Sequence, residues 1–271
     1  MIWGNNMNLY IKLTSFFLVI LLLVSFAYAD HITIETNVKS QVEGNILNNE
    51  VKITNLGDEY AFNVKASLIL NGSVYKSIVK ETLSVGESFK FNKSIEIPYS
   101  IKGTYPLITK VDYQDSNNYP FQALSISSFN LINITTSNVE VRLENTKLSD
   151  KGTLNLLILN KDNKEKDIII TIHAPEGIKV TNTPIKTKLK NNLKLNFDLE
   201  RINALSGSNY AVFAVVEYDE NNKHFTSINY ANVEIVDFIP DEKNITSKIF
   251  IISFIALLLF YIFVKKKRLL N

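Results

Sequence analysis

The side chains that could do chemistry in this sequence are few and scattered. There are three histidines, His31, His173 and His224, and no cysteine. The histidines show neither the H-x-x-x-H nor the H-E-x-x-H spacing that would set two imidazoles on one metal. There is also no G-x-S-x-G nucleophile turn and no phosphate-cradling glycine loop. An isolated histidine in a strand or loop reads as a surface or hydrogen-bonded residue. The oxygen-rich groupings are Asp112 with Asp115, and Glu217 with Asp219 and Glu220, beside Asn117 and Asn222 respectively. Carboxylates and amides gathered in a loop are the donor set Ca²⁺ requires. The same residues are equally accounted for as solvated hairpin turns, where Asp and Asn are favoured for their local hydrogen bonds. Tyr119, Pro120 and Phe121 form an aromatic loop of the kind that anchors a partner, although Phe121 also suits the first core position of a strand. No residue pattern assigns a catalytic role or calls for a cofactor.

The elements that must position these groups are strands. Val51 and Ile53 alternate with polar neighbours. Val64, Ala66, Leu68 and Leu70 follow, then Phe89, Phe91, Ile95 and Ile97, then Tyr105, Leu107, Val111 and Tyr113, and finally residues 121–129. The second half repeats the scheme through Val139 and Val141, Leu154 to Ile158, Ile168 to Ile172, Leu193 to Leu199, and Tyr210 to Tyr218. A period of two with polar turns every 8 to 12 residues, and no helical period between, predicts antiparallel sandwiches. A constant offset of 105 residues relates Asn55 to Asn160, Tyr105 to Tyr210, Val111 to Val216, Tyr113 to Tyr218 and Asn117 to Asn222, which predicts a tandem duplication. Tyr105 and Tyr210 each follow a glycine closely at a strand start. Each is either the tyrosine whose hydroxyl bonds back to the preceding loop or an ordinary aromatic core residue.

Two apolar segments flank the strands. Lys12 precedes an apolar run, residues 13–26, that ends in Ala27, Tyr28 and Ala29; this is a secretory signal with cleavage expected between Ala29 and Asp30. An uncleaved first helix is the alternative, and Met7 is a second candidate start. Residues 249–264, from Ile249 to Val264, span roughly 24 Å as a helix, close to the apolar core of a bilayer. Lys265, Lys266, Lys267 and Arg268 follow and place that end in the cytoplasm. The expected organisation is a signal peptide at 1–29, immunoglobulin-like sandwiches at 30–134 and 135–238, a short stalk at 239–248, a transmembrane helix at 249–264 and a basic cytoplasmic tail at 265–271. The fold class is therefore all-β, two tandem immunoglobulin-like β-sandwiches followed by one membrane helix.

Lys plus Arg number 29 and Asp plus Glu 27. The four basic residues of the tail exceed that surplus of two by themselves, so the exported part has no basic field for nucleic acid. With no cysteine, the exported domains rest on packing and sheet hydrogen bonds alone. Asn71, Asn92, Asn133 and Asn244 head N-x-S/T sequons and are glycosylation candidates in an exported chain.

The segment from Val51 through Asn55, Gly57, Asp58 and Glu59 to Ala61, Asn63 and Val64 resembles the "N-x-G-D … A-x-N-V" segment of CARDB-like and related immunoglobulin-like modules. These occur on prokaryotic, particularly archaeal, surface and S-layer-associated proteins. The second repeat keeps only Asn160 and the apolar pattern, with Lys161, Asp162, Asn163 and Lys164 in place of the glycine turn. The resemblance implies an adhesion-type or scaffolding module and carries over no catalytic residues. The expected function is that of a non-catalytic, membrane-anchored, extracytoplasmic binding or scaffold protein of the cell surface, with a protein partner or an envelope layer. An accessory subunit of a transport or protein-export complex, in the manner of translocon-associated proteins, is the alternative.

Overall fold

The computed structural model describes residues 31–132 and 136–238. The signal and its cleavage site at Ala29 and Asp30, the sequons at Asn133 and Asn244, the stalk, the apolar segment 249–264 and the basic tail lie outside the described residues. Among those described, no helix is long and apolar enough to cross a membrane.

The first half runs through β1 (Ile34–Glu43), β2 (Ile46–Asn55), β3 (Ala61–Leu70), β4 (Ser73–Lys76), β5 (Lys80–Leu83), β6 (Ser88–Glu96), β7 (Lys102–Gln114) and β8 (Pro120–Leu131). The second runs through β9 (Val139–Leu143), β10 (Thr146–Leu148), β11 (Lys151–Asn160), β12 (Lys166–His173), β13 (Ile178–Val180), β14 (Ile185–Leu189), β15 (Leu193–Arg201), β16 (Asn209–Glu220) and β17 (Lys223–Ile235). The described chain is thus all-β and immunoglobulin-like. Strands β2, β3, β5 and β6 begin at Ile46, Ala61, Lys80 and Ser88, and β11, β12, β14 and β15 begin 105 residues later at Lys151, Lys166, Ile185 and Leu193. The internal offset read from five residue pairs is an offset of whole strands.

Three sheets result. A three-stranded sheet, β1-β2-β6, covers the first core, and a four-stranded sheet, β13-β15-β11-β9, covers the second. The third sheet is shared. Its ten strands follow the path β14-β12-β16-β17-β7-β3-β4, with β5 beside β3, β8 beside β7 and β10 beside β17. One core gathers Leu47, Val51, Ile53, Leu68, Tyr105 and Leu107, and the other gathers Leu154, Ile158, Ile170, Phe197, Val212 and Val216. Period-two burial along each strand is what sends these residues to one face.

Both asparagines of the repeat are structural keystones. Asn55 is fully buried at the end of β2; its Nδ2 donates to the carbonyls of Glu59 (2.7 Å) and Leu83 (3.1 Å), and its Oδ1 accepts the Gly57 N–H (3.0 Å). Asn160 ends β11 in the same way, donating to Lys164 (2.8 Å), Lys190 (2.9 Å) and Leu189 (3.4 Å). Each side chain holds the crossing from one sheet to the other, where the backbone groups of the loop have left the ladder and still need partners. Gly57 is required by crowding, since a Cβ there would lie 2.3 Å from the His31 carbonyl oxygen.

The hairpins explain the asparagine-rich turns. Asn71 and Gly72 carry φ of 49° and 78° between paired Leu70 and Ser73, and Asn221 and Asn222 carry 52° and 56° between paired Glu220 and Lys223. Two successive positive φ values give the two-residue turn whose twist matches paired strands. The sequence reading omitted β1, the long β17 and the short strands β4, β5, β10, β13 and β14. Strand β1, an edge strand only partly buried, alternates Ile34, Thr36, Val38, Ser40 and Val42, so two of its five inward positions are polar and the apolar signal is diluted.

Candidate functional site

The two halves meet where β17 begins. Lys223 and His224 pair in parallel with Lys102 and Gly103 of β7, so a single two-residue ladder makes the sheet continuous. Gly103 is needed there, because a Cβ would lie 2.1 Å from the His224 carbonyl oxygen. Beside this ladder the Thr226 hydroxyl donates to the Thr104 carbonyl at 2.6 Å.

His224 itself is held on three sides. Its Nδ1 lies 2.7 Å from Asp219 Oδ1 and its Nε2 lies 3.2 Å from Glu217 Oε1. Its ring stacks on Tyr105, with centroids 4.3 Å apart and planes within 6°, and Tyr99 stacks on Tyr105 at 3.8 Å. The hairpin explains the carboxylates: Asp219 pairs directly with His224 across the Asn221-Asn222 turn, and Glu217 lies two residues back on the same face. Burial disfavours the imidazolium, but the hydrogen bonds to Glu217 and Asp219 and their charge outweigh it and raise the His224 pKa. Burial, reinforced by the nearby carboxylates, pushes the Tyr105 and Tyr99 phenols up to about 12. The Tyr105 hydroxyl donates to the Ile101 carbonyl at 2.7 Å, which is the loop-tying bond expected of a tyrosine at this position. Tyr210, raised by burial, is hydrogen-bonded through the Leu205 backbone and Ser208 in the repeat.

A second contact lies beyond it. Leu124 and Ile126 of β8 pack with Phe213 and Val215 of β16, and Ile108, Ala211 and Ile228 border them. The Tyr119 hydroxyl donates to the Asn203 carbonyl, and the Glu176 N–H donates to Gln122 Oε1 at 3.3 Å. A cleft of about 240 Å³ remains between the halves, lined by Tyr113, Phe121, Tyr210, Asp112, Asn63 and Gln114 among others. Its polar groups are largely committed to one another: Gln122 Nε2 donates to Asp112 at 2.7 Å and Asn63 Nδ2 to Gln114 at 2.7 Å.

The residues singled out in the sequence are thereby reassigned. Asp115 accepts the N–H groups of Asn117 (2.9 Å) and Tyr119 (2.8 Å) and so closes its own turn. Asp112 serves Gln122, Glu217 and Asp219 serve His224, and Glu220 lies 3.3 Å from the buried Lys166 ammonium. Among the described residues no three His, Cys, Asp or Glu side chains are gathered as a metal would require. The five carboxylates weighed as Ca²⁺ donors or hairpin-turn residues each make hydrogen bonds or ion pairs within the protein. The aromatic loop, a candidate partner contact, divides: Tyr119 bonds Asn203 of the chain's own second half, whereas Phe121 stacks on Tyr113 of its own half, with centroids 5.5 Å apart. Asn71 and Asn92 are exposed, the first in a hairpin turn and the second on β6. His31 pairs with Asp58 at the surface, whereas burial lowers the pKa of His173.

His224, Tyr99 and Thr226 were not legible as a site. The contacts that make it a junction, His224 on Tyr105 and Thr226 on Thr104, join residues more than a hundred positions apart in sequence, and each residue on its own is ordinary.

No curated protein matches the chain. Among solved structures, a red sea bream transglutaminase aligns at 9% identity and a TM-score of 0.27, covering 76% of this chain and 32% of its own. The native conformation of E. coli alpha-2-macroglobulin aligns at 9% and 0.29, covering 75% and 17%. A Salmonella alpha-2-macroglobulin aligns at 10% and 0.29, covering 77% and 17%. The chain spans a third or less of each of these proteins. The family match falls on the first half: residues 29–118 match the CARDB family model, and the first sandwich is accordingly a CARDB-like, immunoglobulin-like module.

Proposed function

We propose that the protein is a non-catalytic, membrane-anchored binding or scaffold protein of the cell surface. In this reading its two sandwiches face outward as one body, the segment 249–264 crosses the membrane and the basic tail lies in the cytoplasm. The observation that carries the proposal is the junction. A shared ten-stranded sheet, an apolar contact between β8 and β16, and the bonds from Tyr119, Gln122 and Thr226 tie the halves together, using polar groups that a catalytic site would need free. A body of fixed shape suits the presentation of edges and loops to a partner or an envelope layer. Asn71 and Asn92 would carry glycans on such a surface, and their exposure is compatible with that.

Two measurements test this reading. Crosslinking in native membranes, followed by mass spectrometry of what is captured with residues 30–244, should yield copies of the chain or envelope proteins. Capture of one stoichiometric transport or export complex would replace the scaffold reading with that of an accessory subunit. The chain has no cysteine, so a single Asn71→Cys change gives a clean topology probe. An impermeant maleimide should label it in intact cells, and labelling only after lysis would refute the outward orientation.

A further inference from the structure

Both ring nitrogens of His224 face carboxylates, and a neutral imidazole has only one N–H to offer. The pair of contacts, 2.7 Å to Asp219 and 3.2 Å to Glu217, is satisfied in full only by the imidazolium, which donates at both nitrogens. Loss of its proton to solvent leaves one carboxylate facing a ring lone pair. Asp219 makes the shorter contact and is the more exposed of the two, at 60% against 26% for the Glu217 side chain. The stranded group is therefore Glu217, which has less water to turn to. The stacking of the ring on Tyr105 loses its cationic component in the same step.

What makes this consequential is position. His224 is one of only two residues through which β17 pairs with β7, and its backbone lies against Gly103. Whatever displaces the ring acts directly on the ladder that joins the halves. The surrounding charges are Glu217 and Asp219 from β16, the neutral phenols of Tyr105 on β7 and Tyr99 before it, and Lys102 of β7 opposite Lys223 in the same ladder. Asp167 of β12 and Lys186 and Lys188 of β14 line the cleft that His224 borders, and His173 lies near both Glu217 and Lys110. The two hydrogen-bonded carboxylates are the only ones of these bonded to the ring.

We propose that His224 is a pH-sensitive latch between the two halves, closed when the ring is doubly protonated and loosened when it is neutral. Because the carboxylates raise its pKa, the sign is fixed. The latch is fully closed below the ordinary histidine value of about 6.5 and opens as pH rises through the elevated folded value. A surface protein would thereby hold its two sandwiches most firmly at the acidic end of the range and relax them as pH rises.

The test is hydrogen exchange with mass spectrometry on the full chain in detergent from pH 6 to 9, corrected for intrinsic rates. Peptides covering 99–105 and 223–227 would be compared with a core peptide covering 212–216. Protection at the junction should fall with rising pH by about tenfold for each unit by which the pKa is raised, while the core peptide stays level. His224→Gln, which cannot donate at two positions, should give junction protection that is low and independent of pH. Asp219→Asn keeps the titrating ring and should move the fall to lower pH, so it decides the matter even where His224→Gln does not fold. A level wild-type profile, the same profile in His224→Gln, or an unmoved midpoint in Asp219→Asn would overturn the latch.

Discussion

Asn55→Ala is the most informative single perturbation of the fold. The side chain is fully buried and makes three hydrogen bonds, two from Nδ2 to the carbonyls of Glu59 and Leu83 and one from the Gly57 N–H to Oδ1. Alanine removes all three and puts nothing polar in their place. Each net hydrogen bond is worth about 1 kcal/mol, and a buried group left without a partner costs about 1 to 3 kcal/mol, so the expected loss is roughly 3 to 5 kcal/mol. Out of a total near 5 to 15 kcal/mol this is a large share. With a urea dependence of about 2 kcal/mol per molar, the midpoint should fall by about 1.5 to 2.5 M. The assay is equilibrium urea unfolding of residues 30–238 followed by the fluorescence of the tyrosines. Asn160→Ala should lose a comparable amount, because Asn160 makes the corresponding donations in the second half. A loss below about 1 kcal/mol at Asn55 would refute the argument that this amide supplies the loop's missing partners. Loss of equal size at a neighbouring exposed position such as Leu56 would refute its specificity.

Three further outcomes follow from the same structure. Gly57→Ala should destabilise the first half by more than about 2 kcal/mol in thermal unfolding, since the new Cβ would stand 2.3 and 2.6 Å from backbone atoms of His31 and Thr33, which cannot yield as a side chain can. Lys166→Met should cost about 3 kcal/mol in urea unfolding, because the ammonium is almost fully enclosed and bonds Asp162 at 2.8 Å with Glu220 at 3.3 Å. The Lys166 hydrogen bond holds the Asp162 carboxyl below its usual range, so this contribution is complete at neutral pH and is lost as pH falls below about 3.8 through the folded value. A stability difference between wild type and Lys166→Met that persists unchanged at pH 2.5 would contradict it. Phe213→Ala empties the centre of the contact between β8 and β16 and should cost about 3 kcal/mol. Small-angle scattering should then show a longer, more variable body, and an unchanged profile would mean that the two-residue ladder and the bonds from Tyr119, Gln122 and Thr226 hold the halves without the apolar contact.

Most strands of the two cores, the duplication and the turns were legible in the order of the residues, whereas β17, which gives Ala231, Val233 and Ile235 to the second core, was not. The legible features are local properties: period-two burial sends Val51 and Ile53 or Ile168 and Ile170 to one face, and paired asparagines take positive φ with little strain. The offset of 105 residues was readable because each repeat must solve the same crossing problem, with Asn55 in one half and Asn160 in the other. Edge strands such as β1 were harder to read, since a strand that is half wet tolerates Thr36 and Ser40 on its inner face.

Only the tertiary structure decided what the polar residues do. Asp112, Asp115, Glu217, Asp219 and Glu220 form acidic clusters along the chain, yet folding divides them among Gln122, the turn N–H groups of Asn117 and Tyr119, His224 and Lys166. A carboxylate's role depends on which donor arrives beside it, and that donor comes from a hairpin register, as with Asp219 and His224 or Asp112 and Gln122, or from a strand distant in sequence, as with Glu220 and Lys166. The joining of the two halves was likewise invisible, because it rests on Gly103 and His224 meeting across 121 residues of chain. Such a contact has no period and no motif; it exists only once both sheets have their twist and the start of β17 is carried beside the start of β7.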